Sequence, residues 1–168
     1  MKRLILTAVM AIATAVALNA QNYMVVNSEK VFKSISAYNS AIEQLDKLAE
    51  SYQKQVDDKF AEVEKLYNNY VAQKNSLSVS TQQTVENTIL AREEEATKLQ
   101  ESLFGTDGTL MKERVKLIQP IQEKVFAAIE KYAEANGFDL VIDIASNPTV
   151  LYYSPKADRT EAIINALK

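Results

Sequence analysis

Few residues of this chain could do chemistry. Asp139 and Asp143 stand four apart in "GFDLVIDIASNPTVLYYS", and Asp107 stands between two glycines in "FGTDGTLM". Carboxylates can share a proton or hold a divalent cation when their oxygens converge. On an extended strand, Asp139 and Asp143 lie about 13 Å apart, which is too far for a shared proton. One aspartate at position 107 cannot supply the several oxygens that calcium takes. The chain has 0 histidines and 0 cysteines, so the commonest general base, the commonest metal ligand and the thiol nucleophile are all missing. The remaining Asp, Glu, Lys, Ser and Tyr residues form no recognisable reaction centre, and the expectation is a protein that is not an enzyme and uses no metal or cofactor.

Charge narrows the partners. Setting Lys2 and Arg3 aside leaves 17 basic residues against 22 acidic ones. That balance argues against nucleic acid, whose binding is driven by clustered Lys and Arg. Met1-Lys2-Arg3 followed by "LILTAVMAIATAVALNA" has the layout of a secretory signal peptide over residues 1–20, so the mature chain is expected to start near Gln21 in the periplasm. Without cysteine, neither a lipid anchor on a cysteine nor a disulfide framework is available.

Only 3 glycines and 3 prolines punctuate the chain, which points to long elements. Ile42, Ala49, Val56, Val63, Tyr70 and Leu77 recur every seven residues, and Leu45, Tyr52 and Leu66 fill the intervening apolar position of a coiled-coil stripe. Lys59 and Gln73 occupy that second position in two turns, while Leu48, Phe60 and Tyr67 flank the stripe. A helix over residues 28–76 would be about 70 Å long and needs a partner helix. Ser80 with Gln83 matches a capping box that starts the return, which places the tip of an antiparallel hairpin near residues 77–79. Val85, Ile89, Ala96, Leu99 and Leu103 carry the returning stripe, and after "FGTDGTLM" it resumes at Met111, Val115, Ile118, Val125, Ile129 and Tyr132, a slip of one residue. The return is longer than the outgoing arm by about eight residues at equal rise. Residues 104–111 are therefore expected to loop out or unwind so that the arms stay matched. Pro120 is a bend or hinge at the base of the arm.

The chain ends change period. Phe138, Leu140, Ile142 and Ile144 alternate with polar or oppositely facing residues, a Ser146-Asn147-Pro148 turn follows, and then comes a β-rich run over residues 149–154, which together predict a hairpin. Gly137 closes the long helix. "NYMVVN" is a strand candidate, with Asn27 or Ser28 capping the next helix, and Asp158 with Glu161 caps a short last helix. The predicted class is α+β: a hairpin arm over residues 37–136, and a small β body from residues 21–36 and 137–168.

Read together, the segments "MVVNSEKVFKS", "QPIQEKVFAAIEKYAEANGFDLVID", "VLYYS" and "ADRTEAIINALK" make the chain resemble the Skp/OmpH family of periplasmic chaperones. The resemblance covers essentially all of the mature chain. It implies a homotrimer whose β strands assemble into a body, with helical arms around a cavity that holds unfolded outer-membrane proteins without ATP. Leu140, Val141, Ile142, Leu151 and Tyr153 are the expected trimer-body residues, since one chain cannot cover apolar residues on both faces of so small a sheet. Phe60 and Tyr67 are expected to meet clients; Tyr52 and Tyr70 are candidates too, although their place on the stripe fits seam packing equally. The basic arm patch that the family uses toward lipopolysaccharide is absent: "AREEEATKLQE" sets Arg92 and Lys98 among Glu93, Glu94, Glu95 and Glu101, so contact with membrane lipid has no support. The alternative from another class is a structural coiled-coil spacer of the cell envelope.

Overall fold

A computed structural model describes residues 22–168, so the segment read as a signal peptide lies outside the described residues. In chain order the elements are β1 (Tyr23–Val26), α1 (Ser28–Lys33), α2 (Ser36–Gln73), a 3-10 turn (Lys74–Ser76), α3 (Val79–Phe104), α4 (Thr109–Ala135), β2 (Leu140–Asp143), a second 3-10 turn (Pro155–Ala157) and α5 (Thr160–Ala166). The protein is mostly helical, with a long helical hairpin and a two-stranded sheet. It divides into two compact units, residues 22–36 with Gln122–Lys168, and Ala37–Ile121.

The first unit is organised by β1. Met24, Val25 and Val26 are all buried, a continuous apolar run suited to a strand covered on both faces. β1 pairs in parallel with β2, Tyr23 opposite Leu140 through Val26 opposite Asp143, and meets Asp158 on its other side. The core joins Met24, Val26, Val31, Val125, Ala133 and Ile163, so α1, the last part of α4 and α5 all pack around the strand. Asn27 caps α1 by accepting from the Lys30 N–H at 2.9 Å, and its own N–H donates to Thr160 Oγ1 at 2.9 Å. Gly137 takes φ 66. The Phe138 N–H then donates to the Ala133 carbonyl at 2.9 Å and the Gly137 N–H to the Glu134 carbonyl at 3.2 Å, the pair of bonds that closes a helix through a left-handed residue. Ser28 donates through its N–H (3.1 Å) and hydroxyl (2.5 Å) to Asp143. Burial pushes the Asp143 carboxyl up, but the Ser28 hydroxyl and the N–H groups of Ala145 and Ser28 outweigh it and hold the group below its ordinary value.

Three expectations are corrected here. The predicted hairpin over residues 138–154 does not form: β2 pairs with the distant β1 instead, and residues 150–154 run without a strand partner. Burial of Met24, Val25 and Val26, with β2 on one side and Asp158 on the other, favours the non-local pairing. The outgoing helix is not continuous from Ser28; it stops after Lys33, where the Ser34 N–H and hydroxyl turn back to the Val31 carbonyl, and restarts at Ser36. The last helix begins after Arg159 rather than Asp158. Asp158 still contributes, accepting from the Thr160 N–H at 2.8 Å.

In the second unit α2 runs antiparallel to α3 and the start of α4. Tyr70 meets Glu86, Tyr52 meets Phe104 edge to face at 6.4 Å between ring centroids, and Ala41 and Leu45 pack with Ile118. Ser78 caps α3, accepting from the Thr81 N–H at 3.2 Å, while the Gln82 amide donates to the carbonyls of Lys74 and Leu77 and closes the turn. The cap is therefore two residues earlier than Ser80, because Ser78 is the residue left extended at the end of the 3-10 turn.

The interruption spans residues 105–108, shorter than the eight expected. Phe104 is helical, and so are Thr109, Leu110 and Met111. Glycine is required by close backbone approach: a Cβ on Gly108 would stand 2.8 Å from the Leu103 carbonyl oxygen. The expected one-residue slip is met in part: Ile118 and Val125 of the shifted stripe are buried, whereas Met111 and Val115 are exposed and Leu110 and Leu117 lie partly buried against the Ala41–Leu45–Ile118 cluster. The break does take up surplus length. Between the Tyr70–Glu86 and Tyr52–Phe104 contacts both strands of the hairpin advance by 18 residues, but from Tyr52–Phe104 across the break to the Ala41–Leu45–Ile118 cluster the outgoing helix advances by 7 to 11 residues and the return by 14. Further returning residues, from Gln122 onward, belong to the first unit through Val125 and Ala133.

Candidate functional site

The seam of the hairpin uses Val56, Tyr70, Ile89, Ala96 and Leu103, all buried. Tyr70 donates its hydroxyl to the Glu86 carboxylate across the seam. Lys74 lies one turn on, 5.3 Å from the Tyr70 ring centroid and 3.5 Å from Glu86. The bond to Glu86 raises the Tyr70 hydroxyl above its ordinary range. The same bond, helped by the Lys74 cation, lowers the Glu86 carboxyl, and the contacts with Tyr70 and Glu86 raise Lys74. Tyr52 is half-buried against Phe104. The two stripe tyrosines therefore sit in the seam of the pair.

Phe60 and Tyr67 lie elsewhere. They are 37% and 55% exposed and line a shallow groove between α2 and α3 with Ile89 and Glu93. The groove continues along the same pair of helices past Val71 and Leu90, which are 55% and 61% exposed. Sequence reasoning missed these last two. A signal was present: Tyr70-Val71 and Ile89-Leu90 are adjacent apolar pairs, and only one member of such a pair can face a seam.

The expected body residues lie in the first unit. Leu140 is exposed, Val141 packs against the core, Ile142 and Tyr153 are half-buried, and Leu151 is 94% exposed beside an equally open Tyr152. Pro120 sits within α4, beside the residue pair Ile121 and Gln122 where the two units divide. Among the described residues, no cluster of three or more His, Cys, Asp or Glu could hold a metal, and no helix is long and apolar enough to cross a membrane. Asp143 is the partner of Ser28.

The hairpin unit thus holds a buried heptad seam, and the other unit gathers α1, the end of α4 and α5 around one strand. The model of the family described as outer membrane protein (OmpH-like) matches residues 22–167. The chain belongs to the OmpH-like family. The match takes in both units and the break at residues 105–108. No curated protein matches the chain. OmpH-like membership supports a general role as a periplasmic chaperone of outer-membrane proteins.

Proposed function

We propose that the chain is an ATP-independent holdase that binds unfolded outer-membrane proteins and keeps them from aggregating. The observation that carries this reading is the exposed apolar groove of Phe60, Tyr67, Val71 and Leu90 on a hairpin that also carries surface ion pairs such as Lys47–Glu43, Lys54–Asp58 and Lys98–Glu94. Aromatic side chains give contact area at low entropic cost, and exposed ion pairs add little stability but keep a long helix pair hydrated. A rigid spacer has no use for such a groove.

The working form we propose is a homotrimer, exported after removal of residues 1–20. Leu140, Val141, Ile142, Leu151 and Tyr153 would form its shared body, since β2 has a strand partner on one side only and the run through Leu151 has none. Oligomerisation is the ordinary way to bury such surface. Pro120 is proposed as the hinge that lets the arm move, because it removes the N–H that would bond the Lys116 carbonyl.

The test is dilution of a urea-unfolded outer-membrane β-barrel into buffer containing the mature chain, without nucleotide, with light scattering as readout. Suppression at near-stoichiometric amounts is expected, and its absence overturns the holdase reading. Phe60→Ser with Tyr67→Ser should weaken suppression while the solution mass stays that of the trimer.

A further inference from the structure

We infer that the groove between α2 and α3 prefers extended client segments whose apolar residues are flanked by lysine or arginine. This rests on the holdase reading and names the class of segment held. The charged residues lining the groove are Asp57, Glu64, Glu86, Glu93 and Lys74, four acids against one base. Lys74 is already occupied by Glu86 at 3.5 Å. Asp57 accepts from the Gln53 amide at 2.8 Å. Among the described residues, Glu64 and Glu93, which flank Tyr67, carry no ion pair, whereas Glu43, Glu94 and Glu95 each hold a lysine or arginine of their own helix.

The apolar floor and the acidic rim act together. Phe60, Tyr67, Val71 and Leu90 take the side chains of an extended segment, and the long stems of Lys or Arg lie along the same apolar surface while their heads reach the rim carboxylates. A segment flanked by Asp or Glu would bring like charges to Glu64 and Glu93 and be rejected. The acidic character of the chain thereby becomes a filter on clients.

The experiment uses two fluorescein-labelled peptides with the same Phe- and Leu-containing centre, one flanked by lysines and one by glutamates. Binding to the full mature chain is read by fluorescence anisotropy at low salt and at roughly ten times that ionic strength. The lysine peptide should bind tighter by at least about fivefold, from two exposed charge contacts. The gap should close at high salt and in the Glu64→Gln, Glu93→Gln double variant. Equal affinities, a tighter glutamate peptide, or no binding of either peptide overturns the inference. If the double variant loses its helical circular dichroism, the salt series on the native chain decides. Running the β-barrel aggregation assay in parallel separates the two readings. Suppression without discrimination overturns the charge preference and leaves the holdase standing, and discrimination without suppression does the reverse.

Discussion

The Tyr70 hydroxyl donates to the Glu86 carboxylate across the hairpin seam, 16 residues away in the chain and next to the turn that reverses it. The bond ties the end of α2 to the first turns of α3, and Lys74 completes it from one side. It also links the hairpin to pH. Glu86 is held below its ordinary value of 4.5, first by Tyr70. Its contribution is therefore full above that ordinary value and is lost as pH falls through the lowered one. Thermal melts between about pH 5 and pH 2 should show a decline that is shallower in Tyr70→Phe than in the native chain. Equal slopes would mean that the pair does not contribute.

The glycine at 108 is required by contact, not by dihedral angle. A Cβ there would press on backbone atoms of Leu103 and Gly105, so Gly108→Ala should destabilise by roughly 1–3 kcal/mol, the usual cost of overpacking. Asp107→Ala, in the same turn, should stay within about 0.5 kcal/mol of the native chain. Urea titration checks both, and a neutral Gly108→Ala would show that the turn can relax.

Ile163 is 0% exposed in the core around β1. Ile163→Ala should cost about 2–5 kcal/mol, by lost burial and the cavity left behind. Denaturant melts would register this as a lower midpoint with an unchanged slope.

Leu151 and Tyr152 are almost fully exposed in one chain. Leu151→Ser should alter the stability of a single chain by less than about 0.5 kcal/mol and yet lower the solution mass if this run is shared between copies. An unchanged mass by light scattering, across a dilution series, would remove Leu151 from the proposed interface.

Pro120→Ala restores a backbone donor and removes a ring clash within α4, which is worth up to about 3 kcal/mol. Helical content and thermal midpoint should rise. Solution scattering should show a narrower spread of sizes, and an unchanged distribution would count against a hinge at this position.

Much was legible without coordinates. The heptad from Ile42 to Leu77, the reversal near residue 77, the closure at Gly137 and the strand at "YMVV" all follow from local rules: apolar period, turn chemistry and the left-handed tolerance of glycine. Resemblance in the end segments added the family, which the match over residues 22–167 supports.

What the sequence could not decide were matters of pairing. Local hairpin signals pointed β2 to the nearby β-rich run, whereas it pairs with the distant β1, whose Met24 and Val26 lie in one core with Val125, Ala133 and Ile163. The length mismatch between the helices looked like a reason to loop out residues 104–111. Only residues 105–108 leave the helix and take up part of the surplus, and the rest enters the core through Val125 and Ala133. Periodicity determines which face of each helix is apolar, so Phe60 and Tyr67 could be set apart from Tyr52 and Tyr70 in advance. Only tertiary packing decides which apolar residues remain uncovered, and that is how Val71 and Leu90 joined the groove.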